Sequence, residues 1–217
     1  MPEVEPCKAA GRPKASDIEA RNLNLVQTAG HLFVEKGYSN VSLEMIAKAA
    51  RVAVRTIYVK FGGKVGLFSA VLIARRGEFL SDVDAMERDQ RPLREVVTDF
   101  AYKFHALITT PEAVTVQRMV IAEAKSNPEL AQTFFDAGPR MTRELLSKYF
   151  ARPDVQAQLR EGVALELVPV HLLNSVMGDQ FCRFMIDQPV RTCEEQRREI
   201  DARLDLFFHA VLRHPAM

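Results

Sequence analysis

Hydrophobic residues recur at three- and four-residue steps along almost the whole chain, which is the spacing of one buried face of an α-helix. The first such segment runs from Ile18 to Lys36 and is followed by Gly37, a residue type that commonly ends helices. Two short helical patterns follow, at 43–50 and 54–61. The N-terminal quarter is therefore predicted to contain one long helix and two short ones.

The helices predicted farther along are longer. One opens at Lys64, and another follows an apolar stripe over 93–108. Gly138-Pro139 is predicted to end one helix and start the next, because proline cannot continue a helix without losing a hydrogen bond. The last two helices are predicted at 169–187 and 193–213. No stretch alternates with period two over more than a few residues, so the predicted fold class is all-α.

The last two predicted helices have broad apolar faces. Thr192 and Glu195 have the spacing of a capping box at the start of the second. A single copy of the chain is not expected to cover both faces, so we expect a second copy to bury them in a four-helix interface. The faces comprise Leu172, Leu173, Val176, Phe181, Met185, Ile200, Leu204, Phe207, Phe208 and Val211.

Composition narrows the class of protein. The chain has 217 residues, of which 47% are hydrophobic, and it lacks an apolar run of the roughly 20 residues that cross a bilayer. Residues 1–16 are polar, do not resemble a secretory signal, and are predicted to form a disordered arm. The protein is therefore expected to be cytoplasmic and to have no membrane partner. The three cysteines are widely spaced without a CxxC pair, so reduced thiols are expected, with Cys182 buried in a helix.

Charge is distributed unevenly along the chain. The formal net charge is +1, but residues 1–64 hold ten Lys or Arg against six Asp or Glu. No acid occurs between Met45 and Gly77, where the cations are Lys48, Arg51, Arg55, Lys60, Lys64, Arg75 and Arg76. Such a segment suits a polyanionic partner, and a solvated basic face would look the same.

The two short helices, joined by "ARVA", have the pattern of a helix-turn-helix whose second helix can enter the major groove. Val52 and Ile57 are predicted to face inward. The outward or edge positions of the second helix are Arg55, Thr56, Tyr58, Val59 and Lys60. Their side chains suit phosphates and base edges, and Lys64 at a helix N-terminus suits an anion.

The stretch "GYSNVSLEMIAKAARVAVRTIYVKFGGKVGLFSAVL" resembles the DNA-binding domain of TetR-family transcriptional regulators. The resemblance implies a homodimer that binds double-stranded operator DNA and a larger helical domain that binds an effector and dimerises. It divides the chain into 17–64 for DNA binding and 65–217 for effector binding and dimerisation. The DNA-binding candidates are Ser42, Arg51, Val54, Arg55, Thr56, Tyr58, Val59, Lys60 and Lys64.

Two residues depart from the family pattern. Arg51 stands where the turn usually has glycine, so it is expected to adopt a left-handed conformation at a steric cost. Ala53 stands where a capping side chain often begins the recognition helix. The lack of such a cap typically lowers the stability of a helix by about 1 kcal/mol. Either the turn differs locally, or the free N–H groups at that end bind phosphate.

The stretch "RMVIAEAKSNPELAQTFFDAGPRM" resembles the C-terminal domain of AefR-like members of the same family. By analogy, a small apolar or amphipathic effector is expected to bind among apolar side chains, although Met and Phe at helical spacing are more often core residues. The effector-binding candidates are Phe100, Phe104, His105, Met119, Phe134, Met141, Met177 and Phe181.

The favoured function is therefore a ligand-responsive repressor without a cofactor, a metal or catalytic residues. An enzyme is the second hypothesis. The sequence gives it little support, because it contains no P-loop, nucleophile elbow, GxGxxG or HExxH pattern. A helical interaction protein with an incidental basic patch is the third. This last hypothesis predicts a dimer with no preference for any one duplex.

Overall fold

A computed structural model describes residues 15–77, 79, 86–186 and 191–213. Four helices form its N-terminal part: α1 (Ala15–Lys36), α2 (Leu43–Ala50), α3 (Val54–Phe61) and α4 (Lys64–Arg75). The predicted arm at 1–16 lies outside the described residues except for Ala15 and Ser16, which begin α1.

The helices α1 to α4 surround a buried core. The rings of Phe33, Tyr38 and Phe68 pack with centroids 5.3 to 5.7 Å apart, within the range of favourable aromatic pairs. Ile57 contributes the fully buried residue of α3. Val52 is half-buried and packs against the same core, so both residues predicted to face inward do so.

The rest of the chain is also helical. It comprises α5 (Leu93–Thr109), α6 (Pro111–Glu123), α7 (Pro128–Phe135), α8 (Met141–Phe150), α9 (Pro153–Gln156), α10 (Val168–Met177), α11 (Gln180–Met185) and α12 (Cys193–Val211). The described ranges contain no strand, only an isolated antiparallel bridge between Leu159 and Leu212. The all-α prediction is confirmed.

Two predicted helix boundaries were wrong. Gly138-Pro139 does not separate two helices, because Asp136–Arg140 forms a π-helical turn that joins α7 to α8. The wider turn accommodates a proline that an α-helix would not. The segment predicted as one helix at 169–187 is broken at Gly178, whose φ of 54° and ψ of −125° lie outside the helical region.

The apolar faces of the last two helices are covered within one chain, contrary to prediction. Leu172, Val176 and Leu204 are at most 2% exposed, and the α12 aromatics Phe207 and Phe208 are equally buried. They pack against α5 and α8 residues in a second core. Met185 remains 66% exposed, and the side chain of Phe181 lies outside the described residues. The sequence pattern could not show that α5 and α8 would cover these faces.

Residues of α6 and α7 also belong to the N-terminal core. Val116 and Val120 of α6 and Leu130 of α7 belong to the same buried cluster as α1, α2 and α4. The boundary predicted at residue 64 falls at the start of α4, and this helix packs into the N-terminal core.

Other expectations concern thiols and membranes. Cys182 is half-buried rather than buried, Cys193 is exposed, and both are free thiols, while Cys7 lies outside the described residues. Over the described ranges, no single helix is both long and apolar enough to cross a membrane. Helices α3 and α4 meet that criterion only as a pair, bent by 68°.

Candidate DNA-binding surface and ligand cavity

The turn between α2 and α3 is built around Arg51. Its φ of 55° and ψ of 46° make it the one non-glycine residue with positive φ in the part of the chain that the structure describes. The amide of Val52 donates to the Ala47 carbonyl at 2.9 Å and that of Arg51 donates to the Lys48 carbonyl at 3.3 Å. These bonds form a Schellman motif, a helix end that normally uses glycine. The positive φ expected from the sequence is confirmed.

Substituting Arg51 with glycine is expected to raise the free energy of unfolding by about 0.5 to 1 kcal/mol. Glycine relieves the strain of a left-handed backbone conformation in a residue with a Cβ, and the greater flexibility of the unfolded chain offsets part of this gain. Urea unfolding measures this change, and Arg51→Ala is the matched control that keeps the strain. If the guanidinium contacts DNA, both variants lose the same DNA affinity. A glycine variant less stable than the alanine variant would contradict the strain argument.

Helix α2 begins with a side-chain cap and α3 does not. The Ser42 hydroxyl oxygen accepts from the Met45 amide at 3.2 Å, and the Ser42 hydroxyl, by donating to the Glu44 carboxylate, lowers the pKa of that group. At Ala53, which precedes α3, no side chain supplies such a bond. Amides at the start of α3 are therefore available to an external acceptor such as a phosphate.

The outer face of α3 is exposed. Tyr58 and Val59 are 57% and 75% exposed, and Arg55 is exposed as well. These three residues have the i, i+3, i+4 spacing that places side chains together on one helix face. Val54 and Thr56 are half-buried at its edge, and Val54 packs against the core. The structure thus gathers Arg55, Tyr58 and Val59 on one surface, and Arg51, in the turn that precedes α3, is exposed as well.

The two lysines predicted to contact DNA, Lys60 and Lys64, have protein partners. Lys60 is exposed and its ammonium donates to the Asn22 side chain of α1. Lys64 is half-buried, with its ammonium 4.2 Å from the centre of the Tyr38 ring. Burial lowers the pKa of Lys64, and the negative charge of Glu123 acts in the opposite direction. The charge of Lys64 therefore lies against the protein surface instead of projecting freely from it.

Glu123, at the end of α6, connects that helix to the N-terminal part. Its carboxylate accepts from the Ser39 amide at 3.0 Å and the Ser39 hydroxyl at 2.6 Å. Asn127 donates to the same carboxylate at 2.9 Å. Beside it, burial raises the pKa of Tyr38 to about 12, and the charges of Glu129 and Glu123 act in the same direction. The loop after α1 is thus held by a charged group on α6.

A cavity of about 390 Å³ lies between α4, α5, α6, the π-helical turn and α10. This volume is within the range of small-molecule sites. Three of the predicted effector-binding residues line it: Phe104, Phe134 and Met177. The other lining residues are Leu72, Arg75, Arg76, Leu107, Ile108, Thr110, Ala113, Val116, Gln117, Ala137, Gly138, Pro139, Thr142, Arg143, Val170, Leu173 and Asn174.

Four predicted effector-binding residues lie away from the cavity wall. Phe100 is buried in the second core and stacks on Phe104, and His105 is 8% exposed. The sulfur of Met119 accepts a hydrogen bond from the Tyr38 amide at 3.1 Å, and Met141 is 36% exposed. The helical stripe marked these side chains as apolar, but it could not distinguish the cavity wall from the core around it.

The sequence analysis missed the cationic residues of the cavity wall. Arg75 and Arg76 were counted only among the cations of the acid-free segment, but Arg76 is 7% exposed and lines the cavity. Arg143 of α8 also lines it and was not singled out. The adjacent Arg75-Arg76 pair at a helix end was the available signal. Among the described residues, no group of three or more His, Cys, Asp or Glu is arranged to hold a metal ion.

Comparison with protein families assigns both parts of the chain. Residues 25–71 match the model described as bacterial regulatory proteins, tetR family. Residues 95–210 match the model described as the C-terminal domain of the AefR-like transcriptional repressor. No curated protein matches the chain significantly in sequence.

Solved structures of similar fold span nearly the whole chain. A putative TetR-family regulator from Mesorhizobium loti is 20% identical with a TM-score of 0.75, covering 93% of this chain and 100% of its own. The flavonoid-responsive regulator FrrA is 26% identical with a TM-score of 0.67, covering 91% and 100%. NalD, the secondary repressor of the MexAB-OprM multidrug efflux pump in Pseudomonas aeruginosa, is 23% identical with a TM-score of 0.64, covering 92% and 100%.

Proposed function

We propose that this chain, which belongs to the TetR family of bacterial transcriptional regulators, is a homodimeric repressor released from its operator when a small molecule fills the cavity. The chain is a ligand-responsive DNA-binding regulator. The proposal adds the sign of regulation, the place of the ligand and the residues that contact DNA. It assigns 17–64 to DNA binding and 65–217 to effector binding and dimerisation, in a protein that acts on DNA in the cytoplasm.

The observation that carries the proposal is that α4 and α6 each extend from the cavity to the helix-turn-helix. Leu72 of α4 and its C-cap residue Arg76 line the cavity, while Phe68 of the same helix packs in the N-terminal core. Val116 of α6 belongs to both the cavity wall and that core, and Glu123 at its end holds the loop after α1. A ligand that displaces either helix therefore changes the support of the recognition helix.

Binding to DNA is proposed to use the outer face of α3. Arg55 and Tyr58 are free to contact phosphates or base edges, and the uncapped amides that follow Ala53 can donate hydrogen bonds to a phosphate oxygen. In a dimer the two α3 helices would reach half-sites about 34 Å apart, one turn of DNA. A ligand weakens this binding only to the extent that it binds the released conformation more tightly.

A second copy is proposed to cover the outer face of α10 and α12. Leu206 of α12 is 74% exposed and Leu167, just before α10, is 61% exposed. Large apolar side chains exposed on neighbouring helices are common at subunit interfaces. This face replaces the one predicted from the sequence, whose residues are mostly buried within one chain.

The effector is proposed to be small and largely apolar, because most residues around the cavity are hydrophobic. FrrA is a flavonoid-responsive regulator and NalD represses a multidrug efflux pump, so these relatives favour the same general class of ligand.

Selection of genomic fragments on the full-length protein tests the proposal. We expect a palindromic duplex to be enriched and to bind with a logarithmic salt slope that reflects several phosphate contacts. The scrambled duplex of equal length is the control. Equal affinity for both duplexes would contradict sequence-specific regulation and would favour an interaction protein with an incidental basic surface. Loss of transcription on binding would identify a repressor, whereas a gain would overturn that sign.

A further inference from the structure

The wall of the cavity contains positively charged side chains among mostly apolar ones. Three arginines contribute to its wall: Arg76, which is 7% exposed, and the exposed Arg75 and Arg143. No aspartate or glutamate is among the described residues that line it. The wall is therefore positively charged, although most of its other residues are hydrophobic.

All the hydrogen-bond acceptors that the described residues offer to Arg76 are uncharged. Its guanidinium donates to the Ala137 carbonyl, to the Gly138 carbonyl at 3.4 Å and to the Thr142 hydroxyl oxygen at 2.8 Å. In the described part of the chain no carboxylate pairs with it, and burial lowers its pKa. A buried cation without a counter-ion is unfavourable, because neutral dipoles replace its lost hydration only in part.

We propose that the effector is a carboxylate with an apolar body, and that its carboxylate pairs with Arg76. This inference rests on the proposed function, in which the cavity is the effector site. The planar guanidinium fork matches a carboxylate in two parallel hydrogen bonds. The aromatic and aliphatic wall, including Phe104, Phe134 and Met177, then surrounds the apolar body.

The position of Arg76 also connects ligand binding to α4. The residue is the C-cap of that helix, and its carbonyl acceptors belong to the π-helical turn Asp136–Arg140. A bound carboxylate competes with the Ala137 and Gly138 carbonyls for the guanidinium. Pairing with the ligand thus weakens the contact that holds the end of α4 to the turn, and α4 extends to the helix-turn-helix.

Calorimetric titration of the full-length protein with three ten-carbon probes tests the charge. Decanoate, 1-decanol and decylammonium share one alkyl chain and differ in headgroup charge. We expect decanoate to bind at least about tenfold more tightly than decanol, the lower range of a hydrogen bond to a charged group, and decylammonium to bind more weakly than decanol. Equal affinities, or tighter binding of the alcohol or the ammonium, would overturn the proposal. Decanesulfonate separates a carboxylate site from a general anion site. We expect it to bind more weakly than decanoate. Equal binding of the two would indicate a general anion site and would contradict the carboxylate assignment.

Substitutions assign the charge to Arg76. Arg76→Met is expected to remove the preference for decanoate over decanol, and Arg76→Lys to retain part of it, because a lysine keeps the charge without the fork. Arg140→Gln is the matched control. Arg140 belongs to the π-helical turn that Arg76 contacts, but it pairs with Asp136 on the surface and does not line the cavity. A preference unchanged in Arg76→Met, or lost equally in the control, would contradict the assignment.

Two further readouts keep these outcomes distinct. If Arg76→Met does not fold, as judged by circular dichroism, Arg143→Gln at the exposed wall supplies the test and is expected to reduce the preference by a smaller factor. Operator binding is measured separately on each variant. Decanoate preference without operator binding would contradict the proposed function alone, whereas operator binding without decanoate preference would contradict the carboxylate site alone.

Discussion

Arg55→Gln is expected to lower operator affinity by at least about 30-fold. The guanidinium is exposed on the outer face of α3, where it can donate two parallel hydrogen bonds to guanine or to a phosphate. Loss of such a contact costs about 1 to 3 kcal/mol, and a dimer loses it at both half-sites. Fluorescence anisotropy with the selected operator at several salt concentrations measures the change.

The salt dependence decides which partner Arg55 contacts. If it neutralises a phosphate, the logarithmic slope becomes shallower by about 0.9 for each half-site, whereas a base contact leaves the slope nearly unchanged and relaxes specificity at one base pair. Lys148→Gln removes a comparably exposed cation from α8 and serves as the control. An Arg55→Gln protein that binds like the control would contradict the assignment of α3 as the recognition helix.

Gly66→Ala is expected to destabilise the protein by about 3 kcal/mol, at the upper end of the range for overpacked sites. A Cβ at this position of α4 would lie 1.7 Å from the Phe61 carbonyl oxygen, far inside van der Waals contact. The obstacle is backbone, so a change of side-chain rotamer cannot relieve it. The α3–α4 connection must shift instead, and operator affinity is expected to fall as well.

Gly77→Ala is the matched control for this substitution. Gly77 is also in helical conformation, but an added Cβ meets nothing within 4 Å. Alanine there is expected to be neutral or to stabilise by about 0.5 to 1 kcal/mol, because it reduces the entropy of the unfolded chain. Urea unfolding of both variants separates the effects. Equal stability of the two proteins would show that α3 and α4 are not held at the close distance that the structure indicates.

The local chemistry of the helix ends was predictable from the sequence. The capping box of Thr192 and Glu195 is formed as predicted, and Ser42, a residue type that favours the start of a helix, caps α2. The left-handed conformation of Arg51 followed from its place in the turn. These features depend on residues within a few positions of one another, so a linear pattern contains the information that defines them.

The direction of long charged side chains was not predictable in the same way. Lys64 lies over Tyr38 near Glu123, a residue 59 positions away in the sequence, and Arg76 donates to the π-helical turn about 60 positions away. Both residues belong to one basic segment, yet neither projects freely toward solvent. The same limit explains why Phe104 lines the cavity while the adjacent Phe100 is core.

By itself, the sequence determined the helical fold class, the helix-turn-helix and the family, because helical period, caps and turn residues are local properties. Only the tertiary structure decided that α5 and α8 cover the last helices, that α4 and α6 contribute to both the cavity wall and the N-terminal core, and that Arg76 lines the cavity. Each of these depends on contacts between segments far apart in the chain. Such contacts follow from how complete helix faces pack together, which the spacing of residues along one helix does not specify.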